Sequence, residues 1–319
     1  MGAFKTFIRL LRTDRKSVWY AFVNRLSRKG WLNWLPDKAF LKLMYHTIFH
    51  KKLDLRNPQT FNEKMQWLKL YDRNPFYNKI VDKYEVKSYV AAKLGEEFII
   101  PTLGVWDDVD KIDFSSLPER FVLKCTHDSG SVVICRDRTT FDMTAAKEKL
   151  HTKMNHNLFW HGREWPYKDV CPRIIAEPLL ENTHKSEESS LPEGLIDYKF
   201  YCFNGEPRFL YVSKGFENHS TTCVSFLSLN WELAPYERYG YRPYPHLPAK
   251  PESFDKMIEV ARILSKDFAF LRVDLYEING HVLFSEMTLT PSAGFLPFFE
   301  EKHDYEIGQM LKLPPKKES

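Results

Sequence analysis

No two of the five cysteines (Cys125, Cys135, Cys171, Cys202 and Cys223) form a Cys-x-x-Cys pair, and their number is odd. That excludes a zinc ribbon and a disulfide framework and fits a reducing cytosol. Long apolar runs are also lacking. No stretch of 18 or more apolar residues is present, so a membrane span is not expected. Charges interrupt every early apolar stretch, which argues against a secretory leader. The Walker A spacing is missing, which excludes a P-loop NTPase. His151, His156 and His161 recur every five residues rather than four, so they do not align on one helix face as zinc ligands would. Ser131 and the cysteines have no evident base partner, and covalent catalysis finds no support.

The composition is that of a soluble globular protein: 319 residues, 43% hydrophobic and 28% charged, enough for one large domain or several lobes. Aromatics reach 15%, a lean toward clefts for polar ligands that core filling explains equally well. The net charge of +4 conceals an asymmetry. Residues 1–56 carry thirteen Lys/Arg against Asp14, Asp37 and Asp54, a balance of +10, so the other 263 residues sum to −6. Basic charge confined to one segment argues against a nucleic-acid-binding face.

That segment predicts amphipathic helix over residues 1–30. Phe4, Phe7, Ile8 and Leu11, then Val18, Phe22 and Leu26 with Trp19, fall at helical spacing among basic residues. It either lies on an anionic membrane surface or docks on the protein's own core. Met1-Gly2 with Thr6 meets the myristoylation pattern only formally.

Farther on, Pro36 to Tyr71 reads as helical with a break at Asn57-Pro58. Thr60 and Glu63 suggest a capping box. A helix from Ile80 to Leu94 ends at Gly95. Short strands at Arg120–Cys125 and Val132–Arg136 flank the loop of residues 126–131. A helix over 142–155, an aromatic loop over 161–168 and a strand at Ile174–Glu177 follow. Asn182–Gly194 reads as a polar loop. Hairpins are expected across Asn204-Gly205 and near Asn279-Gly280, with a helix over Phe254–Phe268 between them and another near Asp304–Leu311. Mixed elements without strict alternation indicate an α+β fold.

The last hairpin carries the chemistry. Alternate strand residues share a face, so Leu271, Val273 and Leu275 oppose Arg272, Asp274 and Tyr276. Next, Leu283, Ser285, Met287 and Leu289 oppose Phe284, Glu286, Thr288 and Thr290. A three-residue loop, Asn279-Gly280-His281, pairs 278 with 282 and sets Asp274 across from Glu286, whereas a two-residue Asn279-Gly280 turn would pair 278 with 281 and put them on opposite faces; the apolar alternation demands the former. Facing carboxylates repel unless a cation joins them, and hard oxygen ligands suit Mg²⁺. The alternative pairs Asp274 with Arg272 and Glu286 with a lysine on a solvated face.

Two further features are ambiguous taken singly. Lys124 enters the small-residue loop of Ser129, Gly130 and Ser131, which is either a phosphate cradle or a plain turn. Glu177 sits where a buried strand exits at Pro178, either as a strand end or facing the amino edge of an adenine.

In their order, Asn57-Pro58-Gln59-Thr60-Phe61-Asn62-Glu63-Lys64, Asp82-Lys83-Tyr84, Phe121–Ser131, Glu164-Trp165-Pro166-Tyr167-Lys168, Asp197-Tyr198-Lys199 and Arg272-Val273-Asp274 with Glu286 resemble the TupA-like (teichuronopeptide biosynthesis) branch of the ATP-grasp enzymes. The resemblance runs from about residue 36 to the end. It implies two α+β subdomains, 101–181 and 182–319, gripping ATP·Mg²⁺ between them. A helical region, 36–100, and the basic segment, 1–35, precede them. Lys83 and Lys124 would contact the nucleotide, Ser129, Gly130 and Ser131 would form the phosphate loop, and Glu177 and Leu180 would sit at the adenine hinge. Lys199 and Arg272 would neutralise phosphate charge, the catalytic task, while Asp274, Glu286 and Thr288 would hold the metal. Thr288 stands where many ATP-grasp enzymes have Asn.

The implied activity is a carboxylate–amine ligase working through an acyl phosphate and joining an amino acid to an acidic sugar of a surface polysaccharide. A phosphotransferase or glycosyltransferase on the same glycan, and a non-catalytic nucleotide-binding scaffold at the membrane, are the alternatives. Trp165, Tyr167 and Arg163 are candidates for stacking on the sugar and holding its carboxylate. The implied location is cytoplasmic, peripheral on the inner membrane face if residues 1–30 bind lipid.

Overall fold

A computed structural model describes residues 15–181, 195–214 and 223–316. The expected polar loop at Asn182–Gly194 and the first half of the amphipathic segment, residues 1–14, lie outside these.

Five helices come first: α1 (Arg15–Arg28), α2 (Asp37–Phe49), α3 (Phe61–Tyr71), α4 (Phe76–Val81) and α5 (Glu85–Leu94). The Thr60 hydroxyl accepts from Glu63 N at 3.2 Å and the Glu63 carboxylate accepts from Thr60 N at 3.1 Å, completing the capping box that starts α3. The single helix expected from Ile80 to Leu94 is instead two. Asp82 breaks it, because its carboxylate accepts from Tyr84 N and Glu85 N at 2.8 and 3.0 Å. The side chain thereby takes over N–H groups at the start of α5. The break turns Lys83 out of both helices, and its own N–H donates to Thr126 O.

Two antiparallel sheets follow. The first has strand order β1-β4-β2-β3, built from β1 (Gly104–Trp106), β2 (Phe121–Cys125), β3 (Val133–Cys135) and β4 (Ile174–Pro178). Phe121, Leu123 and Cys125 turn into a core shared with Leu150 of α6 (Met143–Met154). Lys124 points to the opposite face, as the period of two requires. The aromatic loop at 161–168 contains short helical turns, α7 (Phe159–Gly162) and a 3-10 turn at Trp165–Tyr167.

The second sheet has the order β7-β6-β5-β8-β9. It comprises β5 (Asp197–Phe203), β6 (Glu206–Lys214), β7 (Cys223–Ser228), β8 (Phe270–Ile278) and β9 (His281–Thr288). One face packs Phe200, Leu210, Leu271 and Val273 against Phe254, Met257, Ala261 and Leu264 of α8 (Phe254–Ser265). At one end of the other face, Tyr201, Phe209 and Phe270 meet Phe61, Met65 and Leu68 of α3. There Asp304 of α9 (Glu301–Met310) accepts from the Asn62 side chain at 2.8 Å. Charge gathers elsewhere on this face, on β5, β8 and β9.

The last hairpin reaches its expected pairing by a different route. Ile278 pairs with His281 across a two-residue Asn279-Gly280 turn, with φ of 51° and 81°, the left-handed values a tight hairpin turn needs. Left alone, that register would put Asp274 and Glu286 on opposite faces. A β-bulge corrects it: Leu275 pairs with Phe284 but Asp274 pairs with Glu286, leaving Ser285 over. The three-residue loop is therefore replaced by a turn plus a bulge. The apolar assignment changes with it: Val282 and Phe284 join Met287 in the core, while Leu283 is only half-buried.

Candidate functional site

Register places the candidate side chains in rows across the second sheet. One row runs Phe226, Tyr211, Lys199, Asp274, Glu286, and the next runs Phe209, Tyr201, Arg272, Thr288. Paired residues share a face, so the two carboxylates, the lysine, the arginine and the threonine converge.

Asp274 is fully buried and accepts from Lys199 at 2.8 Å and from Arg272 Nε and Nη2 at 2.7 Å each. Burial opposes its ionisation, but Arg272 and Lys199 outweigh that and hold its carboxyl below the usual range. Lys199 also pairs with Asp197 at 3.1 Å. Burial would favour its neutral form, yet Asp197 and Asp274 keep its pKa raised. Glu286 is looser, 3.3 Å from Lys83 and 3.6 Å from Arg272, with a quarter of its side chain exposed. Burial pushes its pKa up, but Lys83 and the other cations bring it below the ordinary value. The pairing proposed for a solvated face is thus present, Arg272 with Asp274 and a lysine with Glu286, in a buried setting where such charges interact more strongly.

Lys83 links the two sheets. Its ammonium lies beside Glu286 of the second sheet and donates to Asp128 O in the loop of the first. In that loop Ser129 and Gly130 are exposed, and Gly130 takes a φ of 83°. Ser131 is buried, and its hydroxyl accepts from Cys125 N at 2.8 Å, which closes the turn.

Lys124 and Glu177 meet directly. The Glu177 carboxylate is buried between Lys124 and Lys87, each at 2.6 Å. Burial works against its charge and the two lysines restore it. Leu180, just beyond β4, is half-buried. Lys87 was not singled out from the sequence. No local pattern marks it, because which acid it meets depends on the first sheet.

Arg163 and Tyr167 do not offer themselves to a sugar. Arg163 is 1% exposed. It donates to the carbonyls of Leu32, Asn33 and Leu35 at 3.2 Å each, and its guanidinium lies over Phe40 and Trp160 at 4.6 Å. Tyr167 is buried. Trp165 lines a small cavity with Lys69, Asp72 and Thr290. The adjoining Glu164, which opens the quoted motif but was assigned no role, is buried and accepts from the Thr290 hydroxyl. Burial raises its pKa and lowers that of neighbouring Lys69 to about 7.

The donor set suits a hard cation. Asp274, Glu286 and Thr288 supply oxygens on one face, and the Thr288 hydroxyl oxygen is enclosed with no hydrogen-bond partner among the described residues. Among the described residues no group of three or more His, Cys, Asp or Glu side chains could cage a metal. Mg²⁺ does not require one, since it keeps phosphate and water in its remaining positions.

A TupA-like ATP-grasp family model matches residues 63–312. None of the curated proteins compared with the chain matches it. Among solved structures, D-alanine–D-alanine ligase from Helicobacter pylori aligns over 75% of this chain and 60% of its own, with a TM-score of 0.39 and 15% identity. The ATP-grasp ligase PsnB, complexed with minimal precursor, Mg and ADP, aligns over 83% and 65%, with 0.36 and 10%. A RimK domain protein ATP-grasp from Sphaerobacter thermophilus aligns over 70% and 68%, with 0.37 and 12%. The chain thus spans less than two thirds of the length of the first two. With most of its length matched by the family model, and both sheets and the charged rows inside the match, the chain belongs to the TupA-like ATP-grasp family.

Proposed function

We propose that the chain is an ATP-dependent carboxylate–amine ligase that acts through an acyl phosphate and adds an amino acid to an acidic sugar of a surface polysaccharide. The observation that carries the reading is Lys83, which ties the acid-bearing sheet to the loop of residues 126–131 and so makes one site of two sheets.

Glu286, Thr288 and Asp274 would hold Mg²⁺, whose charge would offset that of the transferring phosphoryl group. Lys83, Lys199 and Arg272 would add fixed positive charge, already oriented by carboxylates and therefore needing little reorganisation. Ser129 and Gly130, exposed at the loop tip, would offer backbone N–H groups to phosphate oxygens. Lys124 would turn from Glu177 to the nucleotide, leaving Lys87 to keep Glu177 paired at the hinge beside Leu180. In the chemical step a substrate carboxylate oxygen bonds to the γ-phosphorus of ATP and ADP leaves. The amine then attacks the acyl carbon, a proton is lost to solvent, and phosphate departs with the carbonyl restored as an amide. Five free thiols, with Cys171 exposed, support a cytoplasmic setting.

Incubation with ATP·Mg²⁺, uronic acids and hydroxylamine tests this. A hydroxamate formed with ADP release is expected, whereas a stable phosphorylated sugar would make the protein a kinase instead. Within the site, Glu286→Ala is expected to raise the Mg²⁺ concentration needed for ATP binding by at least about tenfold. Because Glu286 is partly exposed and its ion pairs are long, the unfolding midpoint should hardly move. Calorimetric titration at several Mg²⁺ concentrations reads the first effect, and an unchanged Mg²⁺ dependence would reject Glu286 as a ligand.

A further inference from the structure

Among the described residues, only part of the apolar surface of α1 is covered: Val23 is buried, Val18 and Leu26 are half-buried, and Trp19 and Phe22 are exposed. The helix docks through Val23 and Ser27, and Val23 joins Phe40, Leu41 and Met44 of α2 in a small core. At 100° per residue, Val18, Phe22, Leu26 and Trp19 lie to one side of that contact line. Phe22 is 52% exposed and Trp19 45%, their rings 6.0 Å apart. Just past the helix, Trp31 and Trp34 are 64% and 77% exposed. Among the described residues nothing covers this group.

Charge accompanies it. Arg25 and Lys29 project on the same side as Val18 and Phe22, both exposed, and the Lys29 ammonium lies 5.6 Å from the centre of the Trp31 ring. Exposed aromatics interleaved with cations complement a surface with anionic headgroups outside and hydrocarbon beneath. An apolar protein partner would leave those cations unsatisfied. These residues also precede the segment that the family model matches.

We propose that Trp19, Phe22, Trp31 and Trp34, with Arg25 and Lys29, form a docking surface for an anionic lipid bilayer. The surface is tied to the candidate site. Arg163 grips the carbonyls of Leu32, Asn33 and Leu35, immediately around Trp34. The next residue, Glu164, is buried against Thr290, two residues beyond Thr288. A bilayer bound at Trp31 and Trp34 would therefore hold the site at a set height above the headgroups. On the ligase reading above, on which this orientation rests, the acceptor would be a membrane-attached glycan.

Vesicle co-sedimentation of the full chain, without nucleotide or acceptor, separates this idea from the enzymatic one. Binding is expected to vesicles of phosphatidylcholine with equimolar phosphatidylglycerol, not to phosphatidylcholine alone, and to weaken as salt shortens the Debye length. Replacing the four exposed aromatics by serine should lower the partition coefficient at least about tenfold, since insertion scales with apolar area. Arg25→Gln and Lys29→Gln should each cost about fivefold at low salt. Circular dichroism of each variant should match the parent. Equal binding to neutral and anionic vesicles, retention of full affinity by the aromatic variant, or self-association lost with the same substitutions in place of vesicle binding would each overturn the proposal.

Discussion

Asp274→Ala should cost the protein about 3–5 kcal/mol of stability, the usual penalty for removing one member of a buried ion pair. Asp274 is fully buried and is the shared acceptor for Arg272 and Lys199, both themselves largely enclosed. Without it Lys199 keeps Asp197, but among the described residues Arg272 is left with one ion-pair partner, the distant Glu286 at 3.6 Å. Urea unfolding at neutral pH measures the loss. Adding Arg272→Met should return part of it, because the uncompensated charge is then gone.

The acid limb gives a second readout of the same residue. The Asp274 carboxyl is depressed in the folded chain despite burial, so its stabilisation is complete above the unfolded value of about 4. It is lost as pH falls through the lower folded value. The gap between parent and Asp274→Ala should thus be constant from neutrality to about pH 5 and narrow below about pH 4. If the gap is unchanged at acid pH, Asp274 is not ionised in the folded state. The variant should also lose Mg²⁺-dependent ATP binding. A small stability loss alongside full nucleotide affinity would remove Asp274 from both roles.

Arg163→Met is the second large effect, and it acts through architecture. The guanidinium shares the two hydrogens of its Nη2 among three carbonyls in the turn between α1 and α2, stacks on Phe40, Phe159 and Trp160, and lies 3.5 Å from Asp37. Asp37 keeps Arg73 at 2.6 Å after the substitution, so the loss centres on the carbonyls and the rings. Unsatisfied buried acceptors cost about 1–3 kcal/mol apiece when water cannot reach them. Allowing for relaxation, a loss of about 3 kcal/mol and a midpoint lower by several degrees are expected. Thermal unfolding followed by circular dichroism checks it. A change of less than about 1 kcal/mol would mean that water replaces the guanidinium without difficulty.

How legible the site was depends on the range of the forces involved. The α3 capping box was readable because four consecutive residues close it. Alternation along β8 put Arg272 and Asp274 on one face, since a strand's period of two is a property of the backbone. The pairing of Asp274 with Glu286 was also anticipated, but its mechanism was not. Asn279-Gly280 forms the tight turn its residues favour, and the mismatch is relieved at Ser285 in mid-strand. The buried positions of Val282 and Phe284 decide where that extra residue goes, and those depend on the core they enter.

Long-range partners were hidden altogether. Nothing near Glu177 announces Lys87, 90 positions earlier in the chain. Arg163 looked like an aromatic-loop residue ready for a ligand until the carbonyls around Asn33 arrived to enclose it. Local sequence by itself determined the α3 capping box, the two faces of β8 and the residue types of a hard-cation site, because these follow from backbone periodicity and side-chain chemistry. Only the tertiary structure decided which acid is fully enclosed with its cations and which stays partly exposed, where the bulge falls, and which arginine is buried. Those outcomes turn on desolvation and on partners far away in the chain, and both come into being only when the sheets close together.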